Sequence, residues 1–160
     1  MTSLQSETKP EASRHSELGP SAADKWLVCP AWRRFTVGLP KTSSAAADEG
    51  TQAHSYLESA LRNKADKISG TDLKMSELLQ PCLDWALQQK GIINPEVELD
   101  YGEEFGYTGL FGTADMVIDH EESLTIVDLK YGFGLVEVGA NPQMMIYLVG
   151  AVAKFGERKS

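Results

Sequence analysis

Apolar and polar positions along the chain change period twice. Ser21 and Asp24 have capping-box spacing and open a short helix through Leu27, which Pro30 ends. Residues 36–43, with Gly38 and Pro40, read as a loop. From Ser44 to Lys64 the Ala, Glu, Gln and Leu content predicts a helix despite Gly50. Leu78, Leu79, Leu83, Ala86 and Leu87 recur at helical spacing over Lys74–Lys90, around Pro81. Trp85 and this leucine stripe are expected in the core, and Gly91 ends the helix. The period then drops to two. Val97, Leu99 and Tyr101 alternate with Glu96, Glu98 and Asp100, as in a strand with one solvated face. Phe111–Asp119 and Leu124–Lys130 predict two more strands, joined by the polar stretch 120–123 as a hairpin. Asn141 and Pro142 supply an N-cap and a first-position proline for a last helix, Gln143–Phe155.

The pattern predicts an α/β domain with a small mixed sheet between helices. Residues 1–14, rich in Ser, Glu, Thr and Pro, read as a disordered tail, and 15–160 as a single domain. No stretch approaches the 18 or so apolar residues of a membrane span, and the N-terminus lacks a signal-peptide core. The expectation is a soluble, cytoplasmic protein without a membrane partner. Fifteen Lys plus Arg against 23 Asp plus Glu give a formal charge of −8. That argues against coating nucleic acid by bulk charge, but not against carboxylates gathered around a metal. The two cysteines, Cys29 and Cys82, are far apart without CxxC spacing. A thiolate zinc site, an iron–sulfur cluster and a disulfide framework are therefore not expected.

Asp128 and Lys130 are two apart on a predicted strand and share a face with Leu124 and Ile126. If the hairpin turns at 120–123, Asp119 pairs with Leu124 and Asp115 lies opposite Asp128. Facing carboxylates repel, and half-buried they require a cation between them. A divalent metal with Lys130 beside it meets that need. The plainer alternative is that Asp115 caps a turn and Asp128–Lys130 is a surface ion pair. Three features favour the metal. Gly112-Thr113-Ala114 leaves room beside the strand, Lys130 leads into the loop Tyr131-Gly132-Phe133-Gly134, and Gln143 and Tyr147 share one helix face.

Gly112-Thr113-Ala114-Asp115, Asp128-Leu129-Lys130 and Gln143-x-x-x-Tyr147, in this order and spacing, resemble the PD-(D/E)XK nuclease superfamily, in its RecB-like, phage-type exonuclease branch. Gly50-Thr51-Gln52-Ala53-His54 is similar to that branch's first-helix motif, and His15–Pro30 to a phage exonuclease signature. The resemblance covers roughly 15–155. It implies a restriction-endonuclease-like core and a DNA exonuclease of recombination, repair or replication, from a phage or prophage. It also implies that His54, Asp115, Asp128 and the Leu129 carbonyl bind Mg2+ or Mn2+, with Asp115, Asp128 and Lys130 catalytic. Gln143 and Tyr147 would position the DNA backbone.

Other residues are assigned more loosely. Glu49 is about 140° round the helix from His54 and is expected behind the ligands or at the surface. Glu58, one turn after His54, is expected to hydrogen-bond it. Trp26, Arg33 and Arg34, with Phe35, either contact DNA or form an amphipathic packing segment with solvated arginines. Among the acidic residues 96–104, Glu98 is the one considered for reach to the metal. The family core carries a further strand for which no sequence remains after the last helix. A C-terminally truncated or reduced domain, a homo-oligomer or a recombination-protein partner is therefore also expected. Two alternatives to the nuclease stand: an inactive DNA-binding or interaction module, and a hydrolase of small phosphate esters.

Overall fold

The computed structural model describes residue 16 and residues 18–40, 43–132, 136–137 and 139–156. The 1–14 tail, Phe133, Gly134 and the last four residues lie outside them. The elements are α1 (Ala23–Trp26), α2 (Trp32–Thr36), α3 (Ala45–Arg62), α4 (Leu73–Leu87), β1 (Ile92–Asp100), β2 (Phe111–Asp119), β3 (Leu124–Val127) and α5 (Pro142–Phe155). Single 3-10 turns precede α1 (Pro20–Ala22) and follow β1 (Glu103–Phe105). Ser21 lies within the first of these, and no side chain caps α1.

Caps set the long helices. Ser44 accepts from Ala47 N at 3.2 Å, Asp72 from Met75 N at 2.9 Å and Asn141 from Met144 N at 3.3 Å. On α4 the inward stripe is Met75, Leu79, Leu83 and Ala86. Leu78 and Leu87 of the expected stripe lie outside it, as does Trp85, which is 42% exposed rather than core. Each stands one residue, about 100°, from a buried position.

The sheet has the order β1-β2-β3, and both pairings are antiparallel rather than mixed. A parallel pair needs a crossover. Here the polar stretch 120–123 joins β2 to β3, and residues 101–110 join β1 to β2. Asp119 pairs with Leu124, the register expected from that turn. β3 stops at Val127, however, short of the expected Lys130. The Leu129 N–H donates to an Asp115 carboxylate oxygen at 2.5 Å, so a side chain takes the place of the next backbone rung.

Helices α3 and α4 cover one face of the sheet, with Leu57, Leu79 and Leu83 against Met116 and Ile118. Helix α5 covers the other, with Tyr147, Ala151 and Phe155 against Val97, Leu99, Ala114 and Val117. It sits close: a Cβ on Gly150 would lie 2.9 Å from Leu99 Cβ. Among the described residues no helix is long and apolar enough to cross a membrane.

Candidate metal centre

The sheet's side-chain alternation slips at one place on two strands. On β2, Ala114 and Val117 pack toward α5, while Met116 and Ile118 pack toward α3 and α4. On β1, Ile93 faces α3 and α4, whereas Val97 and Leu99 face α5. A regular strand would keep positions of equal parity on one face. The two slips meet between the pairs Pro95↔Met116 and Val97↔Ala114, where Glu96 and Asp115 form no rung. Glu96 has φ +48°, a left-handed conformation unfavourable for a residue with a Cβ. Such departures collect at functional sites.

Helix α3 lies over this break and presents His54, whose Nδ1 is 2.7 Å from Asp115 Oδ1. One ligand atom each from His54, Glu96 and Asp115 lies within 4.8 Å of the other two. The hydrogen bond to the Asp115 carboxylate raises the His54 pKa above its ordinary value against an opposing effect of burial. Burial raises the Glu96 pKa, and the nearby Asp115 charge adds to it. Two carboxylates and an imidazole, partly withdrawn from water and short of positive charge, fit Mg2+ or Mn2+.

Asp128 lies beyond this triad, in a chain of its own. Its side chain is 8% exposed, and Lys130 Nζ lies 2.6 Å from its Oδ2. Gln143 on α5 donates through Nε2 to Asp128 Oδ1 at 2.7 Å and accepts from Lys130 Nζ through Oε1 at 2.9 Å. Its Nε2 is also 3.4 Å from the Tyr147 hydroxyl. Burial raises the Asp128 pKa despite Lys130, and Asp115 adds to the rise. Burial pushes Tyr147 up to about 12, so its hydroxyl stays protonated and can donate.

The chain belongs to the family described as Protein of unknown function (DUF2800), whose model matches residues 15–157. No solved structure matches it.

In this DUF2800 chain the sequence-predicted residues fall into three groups. His54 and Asp115 meet directly, and Asp128, Lys130, Gln143 and Tyr147 form the adjoining chain. Leu129 touches Asp115 through its N–H. Glu49 and Glu58 form the second group, beside the centre. Glu49 is exposed and accepts from the Tyr131 hydroxyl at 3.2 Å, whereas Glu58 bonds Arg62 Nε at 2.7 Å instead of His54. Trp26, Arg33 and Arg34 form the third. Trp26 is half-buried against Ala23, Tyr101 and Ile146, and its indole N–H donates to Gly19 O at 3.0 Å. That packing is the amphipathic alternative for Trp26, while Arg33 and Arg34 are exposed on α2.

Two expectations about space change. The room beside Gly112 is filled: an added Cβ would lie 2.5 Å from Pro20 Cδ and 3.1 Å from a Tyr147 ring carbon. The small residue there admits the N-terminal segment, not a ligand. Glu98 is exposed and lines a separate cavity with Asp100, Glu103, Glu104 and Lys154. Glu96 is the residue that strict alternation misses, because it groups 96 with 98 and 100. The signal for it is Pro95, which cannot donate to a ladder and marks where strand pairing breaks.

Proposed function

We propose that this chain is a divalent-metal-dependent deoxyribonuclease of the PD-(D/E)XK type, an exonuclease acting in recombination, repair or replication in the cytoplasm. The observation that carries the reading is the convergence of His54, Glu96 and Asp115 at a shared strand break, next to the Lys130–Asp128–Gln143 chain. His54, Glu96 and Asp115 would hold Mg2+ or Mn2+, with Asp128 alongside, its two carboxylate oxygens bonded to Lys130 and Gln143. When bound, the ion polarises the scissile phosphate and makes hydroxide available near neutral pH.

The chain's own groups do the rest. Lys130, held at 2.9 Å by Gln143, presents an ammonium to the phosphate and orients the attacking water. Asp128 keeps that ammonium in place and accepts from Gln143, which fixes the carboxylate's rotation. Tyr147 closes the chain by packing its ring between α5 and β2 beneath Gln143.

The test is digestion of an end-labelled linear duplex and its single strand with Mg2+, Mn2+ or EDTA, using wild type and Asp128→Ala. Metal-dependent degradation lost in the variant supports the nuclease, and the order of label release gives its polarity. No cleavage by folded wild type in either metal overturns it in favour of a DNA-binding module. Turnover of a chromogenic phosphodiester without DNA cleavage would point to a small-ester hydrolase.

A further inference from the structure

Side-chain alternation continues past the end of the sheet. Strand β3 pairs with β2 only as far as Val127, yet Val127, Leu129 and Tyr131 all pack against the α3–α4 side of the core. Asp128 and Lys130 point the other way and meet Gln143 on α5. The segment 128–131 thus keeps the alternation of a strand without its ladder.

Two anchors hold this segment, one on each side of Lys130. Leu129 donates its N–H to Asp115 Oδ2 at 2.5 Å. Tyr131 packs its half-buried ring against the core and donates its hydroxyl to Glu49 Oε1 at 3.2 Å. Gly132, at φ +119°, then turns the chain in a conformation that favours glycine, so Tyr131 is the last side chain before the turn.

The anchors differ in what they depend on. The first uses a carboxylate that also meets His54, within the group that would hold the metal. The second uses Glu49, which lies outside that group on the helix that carries His54. It therefore sets the helix bearing His54 against the segment bearing Lys130 without drawing on a metal ligand. The bond is long for a hydroxyl donor, which puts its expected worth at a few-fold rather than a hundredfold.

We propose that Tyr131 and Glu49 are positioning residues for Lys130: their hydrogen bond ties the segment 128–131 to α3 and keeps the ammonium between Asp128 and Gln143. The inference rests on the nuclease reading for the work that Lys130 does, but not for the tie itself.

Wild type, Tyr131→Phe, Glu49→Ala and Glu49→Gln are compared in two measurements. The first is trace acetylation of the metal-free protein near neutral pH, with the extent at Lys130 read by peptide mass spectrometry against Lys154. An ammonium freed from its carboxylate loses its proton more readily, so Tyr131→Phe and Glu49→Ala should raise Lys130 labelling about threefold. Glu49→Gln keeps an acceptor for the hydroxyl and should stay at the wild-type level. The second is single-turnover DNA cleavage. Tyr131→Phe and Glu49→Ala should slow it about fivefold, with Mn2+ affinity within about twofold of wild type. In a Lys130→Ala background, Tyr131→Phe should cost less than about twofold, because the group it positions is gone.

Unchanged Lys130 labelling in both Tyr131→Phe and Glu49→Ala overturns the tie, whatever the cleavage rate does. A Tyr131→Phe loss as large in the Lys130→Ala background as in wild type also overturns it, since Tyr131 then acts elsewhere. Raised labelling with unchanged cleavage by an active wild type overturns the positioning role. If folded wild type cleaves no DNA in Mg2+ or Mn2+, the nuclease reading falls, and the labelling still decides whether the tie holds Lys130.

Discussion

His54 Nδ1 and Asp115 Oδ1 lie 2.7 Å apart, although 61 residues separate them in sequence. One is on a helix and the other at a break in the sheet beneath it. Without a cation this bond and the Asp128–Lys130 pair are what neutralise the local carboxylates, and Glu96 and Asp128 retain raised pKa values.

The pH dependence follows from those directions. The raised His54 pKa contributes stability that is complete below its ordinary value of 6.5 and is lost as pH rises through the folded value. Raised carboxyl pKa values at Glu96 and Asp128 act in the same sense, because ionisation costs more in the folded protein. In EDTA, these groups should lower the melting midpoint between about pH 5 and pH 8. Added Mn2+ should raise it more at the upper end, where the ligands are deprotonated. A Mn2+ shift that shrinks with rising pH would contradict this.

Glu96→Gly separates stability from metal binding. Glycine relieves the left-handed backbone at φ +48° and removes a half-buried carboxylate. The metal-free variant should gain about 1 kcal/mol, a rise of roughly 2–4 °C in melting midpoint. Its Mn2+ affinity should fall by about tenfold or more. A variant less stable than wild type in EDTA would show that Glu96 is structural.

Lys130→Ala and Gln143→Leu should spare the metal and damage turnover. Lys130 lies outside the His54–Glu96–Asp115 group, so Mn2+ affinity should stay within about twofold while cleavage falls on the order of a hundredfold. Gln143→Leu frees both Asp128 and Lys130 from their common partner, and about a tenfold loss of turnover is expected. Parallel Mn2+ titration and single-turnover cleavage distinguish this from a ligand role, in which affinity and rate would fall together.

Gly112→Ala tests how the N-terminal segment is seated. The new methyl would meet Pro20 at 2.5 Å and force it off β2. A loss of about 1–3 kcal/mol is expected on overpacking, read as a melting midpoint several degrees lower. An unchanged midpoint would mean that Pro20 moves aside at no cost.

Much of the frame is legible in the sequence because local chemistry dictates it. Ser44 and Asn141 are good N-caps where helices begin, and the polar stretch 120–123 sets the Asp119↔Leu124 register. Departures from periodicity are what stay hidden. Strict alternation cannot show a slip of one residue on two paired strands, so it groups Glu96 with the solvated Glu98 and Asp100. Nor can it show which neighbour occupies the space beside a glycine: at Gly112 the occupant is Pro20, from the far N-terminal end of the fold. Amphipathic counting places Trp85 inside α4's stripe, but only the packing against α3 decides which flank of a broad apolar face turns outward. The sheet's antiparallel order likewise depends on which strands are present to pair, not on any one strand's pattern.

The most direct test of the metal centre is calorimetric titration of the metal-free protein with Mn2+ near neutral pH, using wild type, Asp115→Asn and Glu96→Gln. Wild type should bind with release of a proton from His54, whose pKa the hydrogen bond to Asp115 raises. Asp115→Asn should abolish binding and Glu96→Gln weaken it by about tenfold or more, with the fold intact by circular dichroism. Unaltered Mn2+ affinity in both folded variants would contradict the assignment of this cluster as the metal centre.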